Sequence, residues 1–429
     1  MPTGAELLTE LDARGLLQDS TDPAALEQRL DAGTTGLYCG FDPTADSLHI
    51  GNLQSIMLLR RFQLAGHAPI ALVGGATGMI GDPSGRSDER QFLDGDVLDA
   101  NRRSIEAQLR GLLDFEPGPT AARLVDNRTW TESVSVLDFF RDVGKFVTIN
   151  TMLAKDSVRS RLRRESGISF TEFSYMLLQA NDFLVLHQQH GCDLQVAGSD
   201  QWGNITAGID LVRRRTGDVV HGLTAPLIVR ADGTKFGKSE GENLWLSAER
   251  TSPYRLYQYL LNVPDDEVGS LLLRLTTVGV DECRRVAEQH STAPQRREGQ
   301  RFLAREIVSL VHGGEVVPSI ESAAAVLFGA PIDQADLASF LLLSTELPTT
   351  HLSRGELSGL DPLELFVRTG LAGSKGEVRR NLRGHYVNQV SLEQRSEEDS
   401  DSIGESDLRH ATFILLQRGR NAHHLVVAD

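Results

Sequence analysis

The chain has 429 residues, 40% of them hydrophobic and 24% charged, and a formal net charge of -16 at pH 7. That length exceeds a single ordinary core and predicts two or three domains, while the balance of apolar and charged residues excludes wholesale disorder. No run approaches the roughly 18 consecutive apolar residues of a membrane-spanning helix, and the first residues lack a secretory signal's basic start, so a cytoplasmic location and no membrane partner are expected. The acidic balance excludes a protein that coats DNA or RNA without selectivity; an RNA partner needs local basic patches. Cys39, Cys192 and Cys283 form no Cys-x-x-Cys pair, so neither a disulfide framework nor a zinc site is expected.

Along the chain, residues 1–22 read as an acidic helix. From 35 to about 229, short apolar runs alternate with amphipathic stretches, which predicts an α/β domain on a mainly parallel sheet. Strands are expected at 36–41, 69–73, 123–125, 194–197 and 226–229, and helices at 53–64, 99–113, 134–143, 170–188 and 201–215. A Gly-rich loop follows at 231–242. Residues 252–346 then read as a helical domain, 347–359 as a linker beginning near Pro348, and 360–429 as a small α+β module. Within that module the acidic, Ser-rich stretch 394–407 is expected to be an exposed loop. Two basic runs stand out: Arg159, Arg161, Arg163 and Arg164, and Lys375, Arg379, Arg380 and Arg383. Taken alone, either is a solvated helix face.

Two segments carry chemistry. In the first, 38–53, a strand ends at Phe41, Asp42-Pro43 opens a loop, and His49-Ile50-Gly51-Asn52 leads into a helix. A helix N-terminus with unpaired N–H groups attracts phosphate, His49 and Asn52 add side-chain donors, and Gly51 leaves room for a nucleotide. In isolation the same four residues are an N-capping turn with a surface histidine. The second segment is Asp232-Gly-Thr-Lys-Phe-Gly-Lys-Ser239, where Lys235 and Lys238 flank a glycine in a way that suits clamping a polyphosphate.

In this order and at this separation the two segments resemble the paired signatures of class I aminoacyl-tRNA synthetases. Together with the runs 73–85, 167–179 and 198–204, they are similar to bacterial tyrosyl-tRNA synthetase over nearly the whole chain. The resemblance implies a Rossmann-like parallel-sheet catalytic domain over 1–230, with a dimer-forming insertion at about 114–190. The loop and linker 231–251 would follow, then a helical anticodon-side domain and an RNA-binding module at 360–429. It also implies tyrosine, ATP and the cognate tRNA as partners, with Mg2+ carried by ATP and no dedicated protein metal site. Around tyrosine it sets Tyr38 and Asp182 on the phenolic hydroxyl, and Asp82, Tyr175 and Gln179 about the ammonium, with Thr77 and Gln201 beside them. A phenol can donate to a carboxylate while accepting from another hydroxyl, and an ammonium wants an acidic cradle. On the ATP side it implies Cys39, Gly40, Asp42, His49, Gly51, Asn52, Ser55, Asp200, Leu227, Ile228, Lys235 and Lys238, with Ser239 closing the second signature. Arg86 and Arg90 match positive residues near the leaving pyrophosphate.

Two departures from the family pattern are Asn52, where a second histidine is usual, and Ser55, where threonine is common; an amide still donates to phosphate. Phe170 matches a subunit-interface residue, so a homodimer is implied. Lys375, Arg379, Arg380 and Arg383, with Arg418-Gly-Arg-Asn421 nearby, resemble the phosphate-contacting part of a small RNA-binding module. Three other functions remain in view. A tryptophanyl enzyme would need an indole pocket, where Tyr38 with Asp182 favours a phenol. A nucleotidyltransferase acting on a small acceptor would not need the tail. A non-catalytic RNA-binding protein would not need His49, Lys235 and Lys238.

Overall fold

The computed structural model describes residues 1–82, 93–153, 155, 158, 159, 162, 167–229, 236–239, 242–397 and 402–429. They form two compact units, the first from 1–252 and 258–311, the second from 253–257 and 312–429.

The first unit is built on a six-stranded sheet: β1 (Asp19–Ser20), β2 (Gly36–Phe41), β3 (Ala68–Val73), β4 (Arg123–Asp126), β5 (Cys192–Gly198) and β6 (His221–Ala225). Their order across the sheet is β1-β6-β5-β2-β3-β4, parallel except for β1, which runs antiparallel to β6. From β2 the chain winds outward through β3 and β4, then returns to the other side of β2 with β5. The order therefore reverses between β2 and β5, and a sheet of this kind opens its ligand crevice at the carboxyl ends of those two strands. β2 is buried along its length except at Gly40, as befits a parallel strand covered on both faces. Helices Ile50–Leu64, Phe170–His190 and Trp202–Thr216 supply the cover, and Phe183 of the second packs its ring 5.3 Å from that of Tyr38.

Most expected elements lie within a few residues of their observed bounds, with two exceptions: the helix expected over 1–22 spans only Gly4–Ala13, with Asp19–Ser20 in β1, and one strand is displaced. The strand expected at 226–229 is instead His221–Ala225. Pro226 has no N–H to give to the ladder, so pairing stops there and 226–228 leaves the sheet as irregular chain.

Helices of the stretch 258–311 belong to this first unit. Helix Val268–Leu275 ends against two buried arginines. Arg14 donates to the carbonyls of Leu273 (3.2 Å) and Val278 (2.9 Å), and Arg61, on helix Ile50–Leu64, donates to those of Leu273 and Thr276. Guanidinium groups thus satisfy the orphan carbonyls of a helix C-terminus. Burial and the neighbouring Arg14 lower the Arg61 pKa to about 10.

The second unit is a five-stranded sheet covered on both faces. Its order is Val390–Ser391, His385–Val387, Phe413–Arg418, Ala422–Ala428, Thr349–Leu352, and only the last pairing is parallel. Alternation along Phe413–Arg418 decides what packs where. Ile414 and Leu416 face a cluster with Phe366, Val378 and Val387, whereas Phe413 and Leu415 face Ala323, Val326, Ile332 and Phe340. The Phe340 and Phe413 rings stack 5.3 Å apart at 17°. The helical stretch expected over 252–346 is therefore divided: helices Val317–Leu327 and Leu337–Glu346 share a core with the tail. The expected linker 347–359 holds the strand Thr349–Leu352, drawn into the sheet by its ladder with Leu425 to Ala428. The stretch 394–407 is not simply an exposed loop either, because Arg395 and Asp407 form a buried ion pair at 2.5 Å and Ile403 is buried.

Candidate active site

The crevice at the carboxyl ends of β2 and β5 holds most of the residues singled out in the sequence. Helix Ile50–Leu64 opens there, with His49 as its N-cap. The Asn52 side-chain oxygen accepts the His49 N–H at 3.0 Å, which leaves the amide NH2 as the end that can donate to a ligand. A methyl group at Gly51 would lie 2.9 Å from the His49 ring, so the glycine lets the imidazole fold across the helix start. The chain after the second signature is hydrogen-bonded to this turn: Ile50 N–H donates to Leu244 O (2.9 Å), Leu246 N–H to Leu48 O (2.8 Å), and Leu244 N–H to Gly237 O (2.7 Å). Phe236 N–H donates to Ile228 O at 3.2 Å. Phe236, Gly237 and the backbone of the short strand Lys238–Ser239 are thereby held between the first signature and the end of β6.

At the base of the crevice Tyr38 is fully buried, and its hydroxyl has no hydrogen-bond partner among the described residues. Burial, and then Asp182, hold this phenol well above its usual pKa. Asp182 is also buried; one carboxylate oxygen accepts from Asn127 Nδ2 and the other from Trp130 Nε1, both at 2.9 Å. Burial outweighs those two hydrogen bonds and raises the Asp182 pKa to about 7. A second carboxylate, Asp42, accepts from Thr77 Oγ1 and Tyr175 OH, each at 2.8 Å. Any side chain at Gly74 would strike both Asp42 and Thr77, so that pair depends on a glycine. A third, Asp82, accepts from Gln201 Nε2 at 2.6 Å. Gln201 accepts from Gln179 (3.2 Å) and Asn204 (3.1 Å), and Asn204 also donates to Gln179 (2.9 Å). Tyr175 senses all three carboxylates: burial first, then Asp42, Asp82 and Asp182 push its phenol up.

On the other face of β2 from Tyr38, Cys39 is buried beside Ser55, and burial lifts its thiol to about 12. It is therefore a neutral, weakly polar surface, not a nucleophile. Gly40 is the one exposed residue of β2. Asp200 and Leu227 border Gly198 at the end of β5, and Gln54 fixes the backbone there by donating to Pro226 O at 2.8 Å. Leu227 is exposed and Ile228 half-buried, giving an apolar edge near the open end.

Not every expected residue enters this assembly. Arg86, Arg90, Lys235, Arg161, Arg163 and Arg164 lie outside the described residues, as do the side chains of Lys238 and Ser239. Lys375, Arg379, Arg380 and Arg383 belong to the second unit. Phe170 stands exposed at the start of its helix. Three residues that hold the site together were not assigned roles from the sequence: Asn127, Trp130 and Asn204. Asn127 and Trp130 directly follow β4, and polar residues just past a parallel strand were the available signal. Among the described residues no group of three or more His, Cys, Asp or Glu could hold a metal ion.

The first unit thus gathers a buried phenol and carboxylate, an acidic, amide-rich network of hydrogen bonds, and a helix N-terminus. Residues 31–329 match the model of the class I tRNA synthetases for tryptophan and tyrosine, and the chain belongs to that family, in its tyrosyl branch. It is 48% identical over 424 residues to the tyrosine–tRNA ligase of Opitutus terrae, covering 98% of this chain and 99% of that protein. The corresponding enzyme of Roseiflexus castenholzii is 45% identical over 428 residues, again covering 98% and 99%. Among solved structures, a C-terminally truncated mitochondrial tyrosyl-tRNA synthetase of Aspergillus nidulans is 31% identical, with a TM-score of 0.67 over 75% of this chain and 94% of that one.

Proposed function

We propose that the chain activates L-tyrosine with ATP, forming tyrosyl-adenylate and pyrophosphate, and then transfers tyrosine to the 3'-terminal adenosine of its tRNA. The observation that carries this reading is the Tyr38 hydroxyl, fully buried beside Asp182 with no protein partner among the described residues. Leaving such a group unsatisfied costs about 1–3 kcal/mol, and a substrate phenol that accepts from Tyr38 and donates to Asp182 removes that cost. An indole offers only an N–H and cannot accept. Asp82, Tyr175, Gln179, Thr77 and Gln201 surround the α-ammonium. The carboxylate is thereby aimed at the nucleotide held by Cys39, Gly40, Asp42, Ser55, Asp200, Leu227 and Ile228.

No residue forms a covalent intermediate. The tyrosine carboxylate attacks the α-phosphorus, the bond to pyrophosphate breaks, and Mg2+, which arrives with ATP, leaves with pyrophosphate. His49, Asn52, the helix start at Gly51, Lys235 and Lys238 meet the phosphate charge as it develops, with Ser239 beside them and Arg86 and Arg90 on the pyrophosphate side. A ribose hydroxyl of tRNA then attacks the activated carbonyl and AMP departs.

For tRNA we assign the second unit. Arg379 and Arg380 are exposed, whereas Lys375 pairs with Asp361 and Glu364, and Arg383 with Glu393. Surface pairs of this kind are weak, so phosphate can replace the carboxylates. For a homodimer, the support is a run of exposed apolar side chains, Val136, Leu137, Phe140, Ile149, Leu162 and Phe170, within the expected insertion. We place the protein in the cytoplasm; among the described residues no helix is long and apolar enough to cross a membrane.

The test is pyrophosphate exchange into ATP with each of the twenty amino acids in turn. Tyrosine alone should support exchange. Equal exchange with tryptophan would overturn the assignment of the Tyr38 and Asp182 pocket.

A further inference from the structure

The strap that follows the second signature does more than connect it to the helices beyond. Residues 244–246 run antiparallel to 48–50, so Trp245 sits directly opposite His49. Side chains of directly opposed residues share a face. Here the Trp245 ring meets the His49 imidazole edge-on, with centroids 6.2 Å apart and planes at 61°.

Trp245 is itself backed. The Arg250 guanidinium carbon lies 4.8 Å over its ring, and Arg250 forms an ion pair with Asp46, three residues before His49. Trp245 N–H donates to Thr251 Oγ1 at 3.0 Å, and Ser247 N–H to Ser47 Oγ at 3.1 Å. Gln108 joins the same turn: its amide nitrogen donates to Ser47 Oγ (3.0 Å) and its oxygen accepts from Leu48 N–H (2.9 Å). One continuous set of contacts therefore runs from Gly237 in the second signature, through the strap, to the imidazole of the first.

We propose that Trp245, backed by Arg250 and Asp46, is a positioning residue for adenylate formation: it fixes the His49 imidazole, and acts through it. The inference rests on the reading of His49 as a phosphate-facing group. An imidazole that folds over Gly51 and meets an aromatic edge keeps its orientation without help from the nucleotide. Its donor is then in place before charge develops on the phosphates. Trp245 touches no substrate in this scheme, so its removal acts on the rate of the first step and not on tyrosine affinity.

The experiment uses the full chain and four variants: Trp245→Ala, His49→Ala, the double variant, and Arg250→Gln. Adenylate formation is followed before the steady state, alongside tyrosine KM. Trp245→Ala should slow activation about tenfold with tyrosine KM unchanged, and in the His49→Ala background its further effect should shrink below about twofold. Arg250→Gln should give a loss of about threefold in the same direction, with the melting temperature retained because an ion pair this open to solvent contributes little to stability. Equal losses in the two backgrounds, or a loss carried by tyrosine KM, would overturn the proposal. If Trp245→Ala also lowers the melting temperature, Trp245→Phe decides: it keeps an aromatic edge and should recover most of the rate, whereas a rate as low as that of Trp245→Ala counts against positioning. An unimpaired His49→Ala variant would instead remove the phosphate reading of His49, and the proposal with it; it is the outcome that separates the two failures.

Discussion

Substituting Asp182→Asn should change how the stability of the unliganded first unit depends on pH. An ordinary aspartate titrates at 3.8, whereas burial raises Asp182 to about 7. Because the folded state has the higher value, it holds the proton more tightly. The stabilising contribution is full below about pH 4 and is lost as pH rises through about 7. The interval between the two values corresponds to on the order of 4 kcal/mol of lost stability by pH 8. Asparagine cannot titrate, so this component vanishes; the variant has only a pH-independent cost of about 1–3 kcal/mol, because its NH2 would face the Asn127 NH2 and one buried hydrogen bond goes. Histidines whose pKa values burial lowers, such as His67 and His221, bend both curves the opposite way near pH 6.5, and they cancel in the difference. The three tryptophans, Trp130, Trp202 and Trp245, all lie in the first unit, so urea unfolding followed by their fluorescence reports on it. The wild-type minus variant difference should fall steadily between about pH 4 and 8. A difference independent of pH would refute the reasoning and show that Asn127 and Trp130 alone solvate an ionised Asp182.

Tyr38→Phe removes an unsatisfied buried hydroxyl, so the unliganded protein should be as stable as before or gain about 1–3 kcal/mol, while exchange with phenylalanine rises relative to tyrosine. A clear loss of stability would mean that the hydroxyl has a protein partner. Arg395→Met strands Asp407 in the interior and should cost the second unit about 3–5 kcal/mol in a denaturant melt while pyrophosphate exchange persists; an unchanged melt would count against a buried pair. Removing residues 360–429 deletes Phe413, Leu415 and Leu425, one wall of the cluster around Phe340. Hydrogen exchange should then show helices Val317–Leu327 and Leu337–Glu346 losing protection, along with loss of tRNA charging; retained protection would refute a shared core.

Local patterning made the catalytic half of the fold legible. β2 and the helix beginning at Ile50 announce themselves by an apolar run, an Asp-Pro loop and a helix start, all within one stretch of sequence. The residues proposed for the tyrosine pocket were named through resemblance, and the placing of Tyr175, Gln179 and Asp182 on one helix was legible from their spacing. What escaped is non-local. Asn127 earns its place by reaching Asp182 and Thr77, 55 and 50 residues away, and nothing in its neighbours signals that reach. The partition of the helical stretch escaped for the same reason, since the stacking of Phe340 on Phe413 joins residues with no common periodicity. The strand placed at 226–229 failed on a legible rule, because Pro226 ends a ladder and does not begin one here.

The boundary between the compact units also orders events in time. The chain passes from the first unit to the second at 252, back at 257, and over again at 311. During synthesis, the residues that complete the first unit have emerged once 311 clears the ribosome. Residues 253–257 have emerged by then too, but Glu321 and Glu346, which pair with Tyr257 and Arg255, have not. Tyr257, whose hydroxyl donates to Glu321 at 2.9 Å, must wait some sixty residues for its acceptor, and strand Thr349–Leu352 waits for the last residues of all. At translation speeds of about 5–20 residues per second, that delay amounts to several seconds. The second unit, which holds both ends of that hydrogen bond, therefore closes only after every residue of the first has been made.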